Sequence, residues 1–313
     1  MKRGSLKSDA ILLLTALIWG FAFVAQRAGM AHVGPFTFNG VRFALGSFSL
    51  LPLLFAQRKQ ISRKGSILPQ PSTNTVIIGG SLAGSVLFVA ASLQQVGLVY
   101  TTAGKAGFIT GLYVVIVPIL GLLLRQRPGV GTWIGAVLAA VGLYLLSITE
   151  AFTIDPGDFL EIIGAFFWAA HVLIIGWFSP RIASVQLAFF QFAACSVLSL
   201  LSALLTEAIN LSGLIAAAIP ILYGGLVSVG MAYTLQVVGQ KGAQPAHAAI
   251  ILSLEAVFAV LGGWLILSET LSTRGLIGCA LMFSAMLISQ IPFKSVDFMA
   301  GAKWVVSRRN FVS

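Results

Sequence analysis

Charge is what this chain most lacks. Of 313 residues only 9% are Asp, Glu, Lys or Arg, while 58% are hydrophobic; an average soluble domain carries roughly 25% charged residues. Too few polar side chains remain to clothe a soluble body of this size, which excludes a cytosolic enzyme, a nucleic-acid-binding domain and a disordered chain. The net charge of +10 does not restore a nucleic-acid reading, because the basic residues lie in short connectors rather than in one patch. Cysteine and histidine are equally scarce. Cys195 and Cys279 sit inside apolar runs as small core residues, so neither a disulfide nor a metal site is expected. His32, His171 and His247 form no His-Glu-x-x-His pair, and no glycine-rich loop ends in Lys-Ser or Lys-Thr. No metal, no cofactor and no direct use of ATP are expected.

Apolar sequence is present instead in runs of about 20 residues, the length that crosses a bilayer as a helix. Ten such runs span 9–29, 35–55, 75–98, 102–124, 131–149, 158–178, 185–206, 214–238, 246–267 and 274–292. The fold class expected is therefore all-α integral membrane. The first run follows Lys2, Arg3 and Lys7 as a signal peptide would, but it is full length and lacks a small-residue cleavage site, so it reads as a retained helix. With the N-terminus in the cytoplasm, the inner connectors and ends hold fifteen basic residues and the outer ones only Arg27 and Arg274. The positive-inside rule then places both termini in the cytoplasm of a multi-pass cell-membrane protein, a bacterial inner membrane being the natural setting. Glu150, Asp155, Asp158, Glu161, Glu207 and Glu269 fall on the outer side. The basic tail 293–313, with Phe298, Trp304 and Phe311, reads either as a segment lying on the anionic inner leaflet or as a frayed terminus.

The two halves resemble each other. Leu93-Gln94-Gln95-Val96-Gly97 matches Leu235-Gln236-Val237-Val238-Gly239 at an offset of 142, and the same offset aligns Gly121 with Gly263. Earlier in each half the offset is 149, pairing Trp19 with Trp168 and Phe43-Ala44 with Phe192-Ala193. The longer basic connector near 56–74 accounts for the difference. Each half holds five spans, an odd number, so the second must enter the membrane upside down. The expectation is ten transmembrane helices as two inverted five-helix repeats, 9–149 and 158–292. Such repeats point to transporters that alternate access to a central site.

The motifs resemble the EamA-type transporters of the drug/metabolite transporter superfamily. Ile18-Trp19-Gly20-Phe21-Ala22-Phe23 is similar to that family's opening Trp-Gly motif, and Arg42-Phe43 to its Arg-Phe pair. Tyr100-Thr101-Thr102-Ala103 followed by Pro118 resembles its third-to-fourth helix signature. Ser253-Leu254-Glu255-Ala256-Val257, Ser268-Glu269-Thr270-Leu271 and Ile277-Gly278 resemble the end of its second repeat. Two departures stand out: Ala256 replaces the family's usual proline, and Arg127 replaces a glutamate that would be the counterpart of Glu269. The resemblance implies an exporter or facilitator of small metabolites, often amino acids or their relatives. It also contributes to the expectation of a cavity lined by spans 1, 3, 4, 6, 8 and 9.

Ionisable groups inside spans usually face a cavity or a partner. Glu255 is the clearest, near the middle of its span on a face with Ala248, Leu252, Ala259 and Gly262. It reads as a proton-binding carboxylate or a ligand for a substrate amine, with a structural interhelical hydrogen bond as the bland alternative. Tyr113 is its repeat counterpart and could oppose it. Lys105 and its counterpart His247 lie at opposite mouths, as electrostatic attractors or as a snorkelling lysine and a packed histidine. Trp19 and Trp168 read as cavity walls or plain packing. His171, one turn from Trp168, reads as a titrating group or a satisfied core histidine. Gln94 and Gln236 offer matched neutral contacts. Arg42 reads as structural, bonding carbonyls or an acid near the outer surface.

The function these residues support is a secondary transporter of a small-molecule substrate, coupled to protons through Glu255 or running uncoupled as a facilitator or channel. A monomer and a homodimer both accommodate it. An intramembrane lipid-modifying enzyme is disfavoured because no clustered nucleophiles, acids or metal ligands are visible.

Overall fold

The computed structural model describes residues 3–64, 71–101, 103–147, 156–267 and 273–291. Every regular element among them is helical. In chain order these are α1 (Arg3–Gly29), α2 (Pro35–Ser49), α3 (Leu51–Lys64), α4 (Thr73–Tyr100), α5 (Ala103–Gly111), α6 (Tyr113–Leu123), α7 (Val130–Ser147), α8 (Pro156–Phe178), α9 (Ser184–Thr206), α10 (Leu211–Ala216) and α11 (Ala218–Leu222). A π-helical segment, Tyr223–Tyr233, follows, and then α12 (Thr234–Gln240), α13 (Pro245–Leu252), α14 (Glu255–Leu267) and α15 (Thr273–Ser289).

Among the described residues, eight stretches are long and apolar enough to cross a membrane: Leu6–Gly29, Pro35–Gln57, Thr73–Tyr100, Ala106–Leu123, Pro156–Phe178, Ser184–Thr206, Ala218–Gln240 and Pro245–Ile266. Two apolar helices, Val130–Leu145 and Thr273–Ser289, are shorter. The expected spans at 131–149 and 274–292 both run past the described residues, as do the tail 293–313 and the Ser268-Glu269-Thr270-Leu271 motif.

Polarity is distributed inside out. Leu123, Leu205 and Ile219 point outward with 78%, 86% and 82% of their surface exposed, while Asn39, Gln95, Glu161, His171 and Gln191 are fully buried. Water would penalise that arrangement and lipid rewards it, because backbone bonds are satisfied within each helix and polar side chains find partners only in the interior.

The helices pack in a regular scheme. α4 lies against α8 and α9, α2 against α9 and the π-helical segment, α1 against α14, and α7 against α15. Without a hydrophobic drive between helices in lipid, close contact depends on small residues. At Gly20 a Cβ would come within 2.4 Å of Phe258 Cβ and 2.7 Å of the Ala259 nitrogen, so glycine is what lets α1 cross α14. Gly84 does the same where α4 meets α9, 2.5 Å from the Gln191 carbonyl oxygen.

Two spans are broken in the middle. Between α5 and α6 the Leu112 nitrogen bonds back only three residues, to Ile109, and Val115 to Leu112, each at about 3.0–3.1 Å. Between α13 and α14 the Leu254 nitrogen reaches Ile251 and Ala256 reaches Ser253, both at 3.2 Å. Ser253 Oγ donates to the Ile250 carbonyl at 2.9 Å, a local bond that competes with the helical ladder. The ninth span thus departs from the continuous helix expected over 246–267, and it breaks without the proline that Ala256 replaces. The two broken helices cross: α5 packs on α14, and α6 on α13.

Candidate functional site

A small cavity lies where the two broken helices cross. Its lining comprises Trp19, Phe23 and Gln26 of α1, Arg42 of α2, Gln94 of α4, Thr110 and Tyr113, Trp168 and Val172 of α8, Ser228, Tyr233 and Gln236, and Leu252 and Glu255. Spans 1, 3, 4, 6, 8 and 9 all contribute, as expected, and Arg42 adds the second. The volume is about 30 Å³, which is room for water but far below the several hundred Å³ of a typical metabolite site.

At its centre Tyr113, the first residue after one break, donates its hydroxyl proton to Glu255, the first residue after the other. The Oη–Oε1 distance is 3.1 Å and the two residues are 142 apart in sequence. Each break delivers its next side chain inward, and both are nearly fully buried. A carboxylate in this position is stabilised by the phenol and, lying at the start of α14, by that helix's positive end. It can hold a proton or a cationic group.

The wall is aromatic. Tyr233, at the end of the π-helical segment, has Trp19 at 4.5 Å and Trp168 at 6.3 Å between ring centroids. Phe43 and His171 contact the same ring. Tyr233 is therefore a hub between the two tryptophans. The extra residue per turn of a π-helix widens the backbone here, as often occurs near functional sites. The Trp19 indole nitrogen donates to the Ser228 carbonyl at 3.4 Å, pinning α1 to that segment. Trp168 Nε1 has no hydrogen-bond partner.

Neutral polar groups complete the lining. Gln94 Nε2 donates to Gln26 Oε1 at 3.2 Å. Gln236 is buried with its carbonyl oxygen unpartnered. Arg42 faces the cavity and bonds through Nε to the side-chain carbonyl oxygen of Asn39 at 2.9 Å, a carbonyl contact of the kind its structural reading expected.

Of the eight residues singled out in the sequence, Trp19, Gln94, Tyr113, Trp168, Gln236 and Glu255 line this one cavity. His171 stands behind it, bonded through Nε2 to Gln191 Oε1 at 2.9 Å and edge-on to Trp168. The side chain of Lys105 lies outside the described residues. Its counterpart at the 142-residue offset, His247, is away from this cavity, where Nε2 meets Asp9 Oδ1 and Nδ1 meets Ser289 Oγ, each at 2.9 Å. That contact ties α13 to α1 and α15.

Three residues escaped sequence reasoning. Tyr233 had no charge to flag it. Arg42 was placed by depth rather than by face. Glu161 was counted only among the acids of the outer side; it is fully buried and accepts from Thr110 Oγ1 at 3.1 Å. One turn earlier on α8, Asp158 accepts from Thr101 Oγ1 at 2.6 Å. An i, i+3 carboxylate pair was visible in the sequence and was the available signal.

A helical body with a polar interior, lipid-facing apolar surface and a central cavity defines a multi-pass membrane transporter. The chain belongs to the EamA-like transporter family, whose model matches residues 6–148 and 155–290. An uncharacterized transporter of Archaeoglobus fulgidus is 34% identical over 290 residues, covering 90% of this chain and 85% of that protein. The uncharacterized transporter YoaV of Bacillus subtilis is 22% identical over 288 residues, covering 90% and 96%. A solved crystal structure shares the fold with a TM-score of 0.70 at 21% identity, over 91% of this chain and 96% of that one.

Proposed function

We propose that this protein is a secondary transporter of small metabolites, amino acids or related amphipathic compounds, working by alternating access with Glu255 as the proton-coupling group. Ten spans form two inverted five-helix halves, 9–149 and 158–292, with both termini in the cytoplasm. The observation that carries this reading is the Tyr113–Glu255 hydrogen bond, made by two repeat-related residues at two repeat-related helix breaks. The packing scheme supports it: α4 on α8 has its counterpart in α1 on the eighth span, and α4 on α9 in α2 on the π-helical segment. A pseudo-two-fold axis through the cavity relates these helix pairs.

With room for water only, the cavity is closed around the site, and admitting a metabolite requires its walls to part. Rocking one set of packed helices against the other opens one mouth while the second stays sealed. Protonation of Glu255 and binding of a substrate amine compete for one carboxylate, which is how one residue couples opposite fluxes.

Uptake of a labelled metabolite panel into proteoliposomes, with and without an imposed pH gradient, tests this. Gradient-dependent flux that Glu255→Gln makes gradient-independent is expected. Flux of a metabolite with no response to the gradient in the wild type would instead make the protein an uncoupled facilitator, and no flux at all would reject transport of the panel. Cysteines introduced at 58–64 should be labelled only from the cytoplasmic side; outside labelling would overturn the orientation.

A further inference from the structure

We propose that Arg42 is the anchor for a carboxylate on the transported solute, so that the cavity selects a small amphoteric acid over a bare amine or a neutral compound. The inference rests on the central cavity being the substrate site and adds to it the chemical group that the solute must carry.

Arg42 is 2% exposed and lines the cavity. Among the described residues its one hydrogen bond runs from Nε to Asn39 Oδ1, and the Asn39 amide is itself fixed by donating to the Ala91 carbonyl at 3.0 Å. Phe38 and Phe43 stand 5.5 and 5.0 Å from the guanidinium carbon. One edge of the guanidinium is thus held while the two terminal nitrogens have no acceptor. Among the described residues no carboxylate is close enough to form an ion pair with it.

A guanidinium keeps its charge in proteins, so burial cannot be relieved by losing a proton. Uncompensated, a buried charge is strongly unfavourable. The usual remedies are absent here: the cation does not reach the surface and has no acid beside it. The terminal N–H groups present a planar fork whose natural complement is a carboxylate, bound through two parallel hydrogen bonds. Phosphate shares that geometry, but this cavity offers one cation together with the carboxylate of Glu255, a balance suited to a single negative group.

The repeat sharpens the argument. At the offset of 149 the counterpart of Arg42 is Gln191, which is neutral and engaged with His171. The carboxylate site therefore belongs to one half alone and has no mirror image.

The test uses purified full-length protein and matched compounds: alanine, alaninamide and propionate; leucine, leucinamide and 4-methylpentanoate; phenylalanine, phenylalaninamide and 3-phenylpropionate; and inorganic phosphate. Binding is read as a thermal shift titrated with each. At least one amino acid should stabilise the protein, and its amide should bind about 100-fold or more weakly, because the amide leaves a buried charge unpaired. Arg42→Gln should erase that gap and Arg42→Lys should restore part of it. An amide binding within threefold of its acid, phosphate binding as well as the carboxylates, or no carboxylate binding at all would each overturn the proposal. Should Arg42→Gln fail to fold, the wild-type comparison of acid and amide decides alone. Flux is scored separately. Carboxylate binding without flux sinks the transport reading and leaves Arg42 standing; amides moving as fast as acids sinks Arg42 and leaves transport standing.

Discussion

Two helices break near the middle of this protein, α5/α6 and α13/α14, and the residue after each break points into the same cavity. After the first break comes Tyr113, after the second Glu255, and the two share a hydrogen bond. The backbones use the same device, a three-residue back-bond at Leu112 and at Leu254. The chemistry is not the same. One side supplies a neutral phenol and the other an ionisable carboxylate; likewise Arg42 in one half has Gln191 as its counterpart at the 149-residue offset. Duplicated geometry supplies two ways to open a site, whereas divergent side chains give it a polarity. A fully symmetric lining would bind a solute equally well from either orientation.

The largest effect should come from removing the charged member of the pair. Glu255→Gln keeps the shape and the acceptor for Tyr113, and gradient-driven flux in proteoliposomes should fall by on the order of 100-fold. Unaltered flux and pH response would reduce the residue to a structural role. Next is the packing that brings α14 to the cavity. Gly20→Leu should destabilise the protein by about 3 kcal/mol, because a Cβ at that position meets the α14 backbone and overpacked interfaces do not relax fully. The contrasting position is Gly107, where α5 meets the same helix and a Cβ would sit 3.8 Å from Ala259. Gly107→Ala should be tolerated or gain about 0.5–1 kcal/mol from lost backbone freedom in the unfolded chain. Thermal unfolding in detergent distinguishes the two, and equal effects would mean that the crossing is looser than described.

Removing the neutral member should cost less. Tyr113→Phe deletes one hydrogen bond to a carboxylate, and flux should drop by about tenfold with its pH response retained. If it matched Glu255→Gln, the phenol would be a full partner in coupling and the two breaks would be chemically equivalent. The smallest change lies away from the centre. His247→Gln loses the contact with Asp9 that ties α13 to α1, for about 1 kcal/mol of stability measured by chemical unfolding. Flux at saturating substrate should hold; its loss would place His247 in the transport path.

Much of this was readable beforehand. The eight long spans followed from hydropathy, since about 20 apolar residues have few other uses. The pairing of Tyr113 with Glu255, expected from the 142-residue offset, is present as a hydrogen bond. What escaped was orientation about each helix axis. In lipid the outward face of a helix is as apolar as its packed face, so hydropathy says which residues are within the membrane and little about which way they point. That Arg42 lines the cavity and that Glu161 is fully buried are facts of this kind. Tyr233 was missed because a π-helical segment shifts side chains off the 3.6-residue period by which faces are counted.

Sequence alone determined the class of protein, its membrane segments, the family signatures and the central carboxylate, because each rests on local composition or on spacing along the chain. Only the tertiary structure decided that two helices break and cross, that Tyr233 joins the two tryptophans, and that Arg42 faces the cavity with unpaired nitrogens. Those features depend on which helix faces meet, and small residues such as Gly20 and Gly84 set that by permitting some approaches and not others.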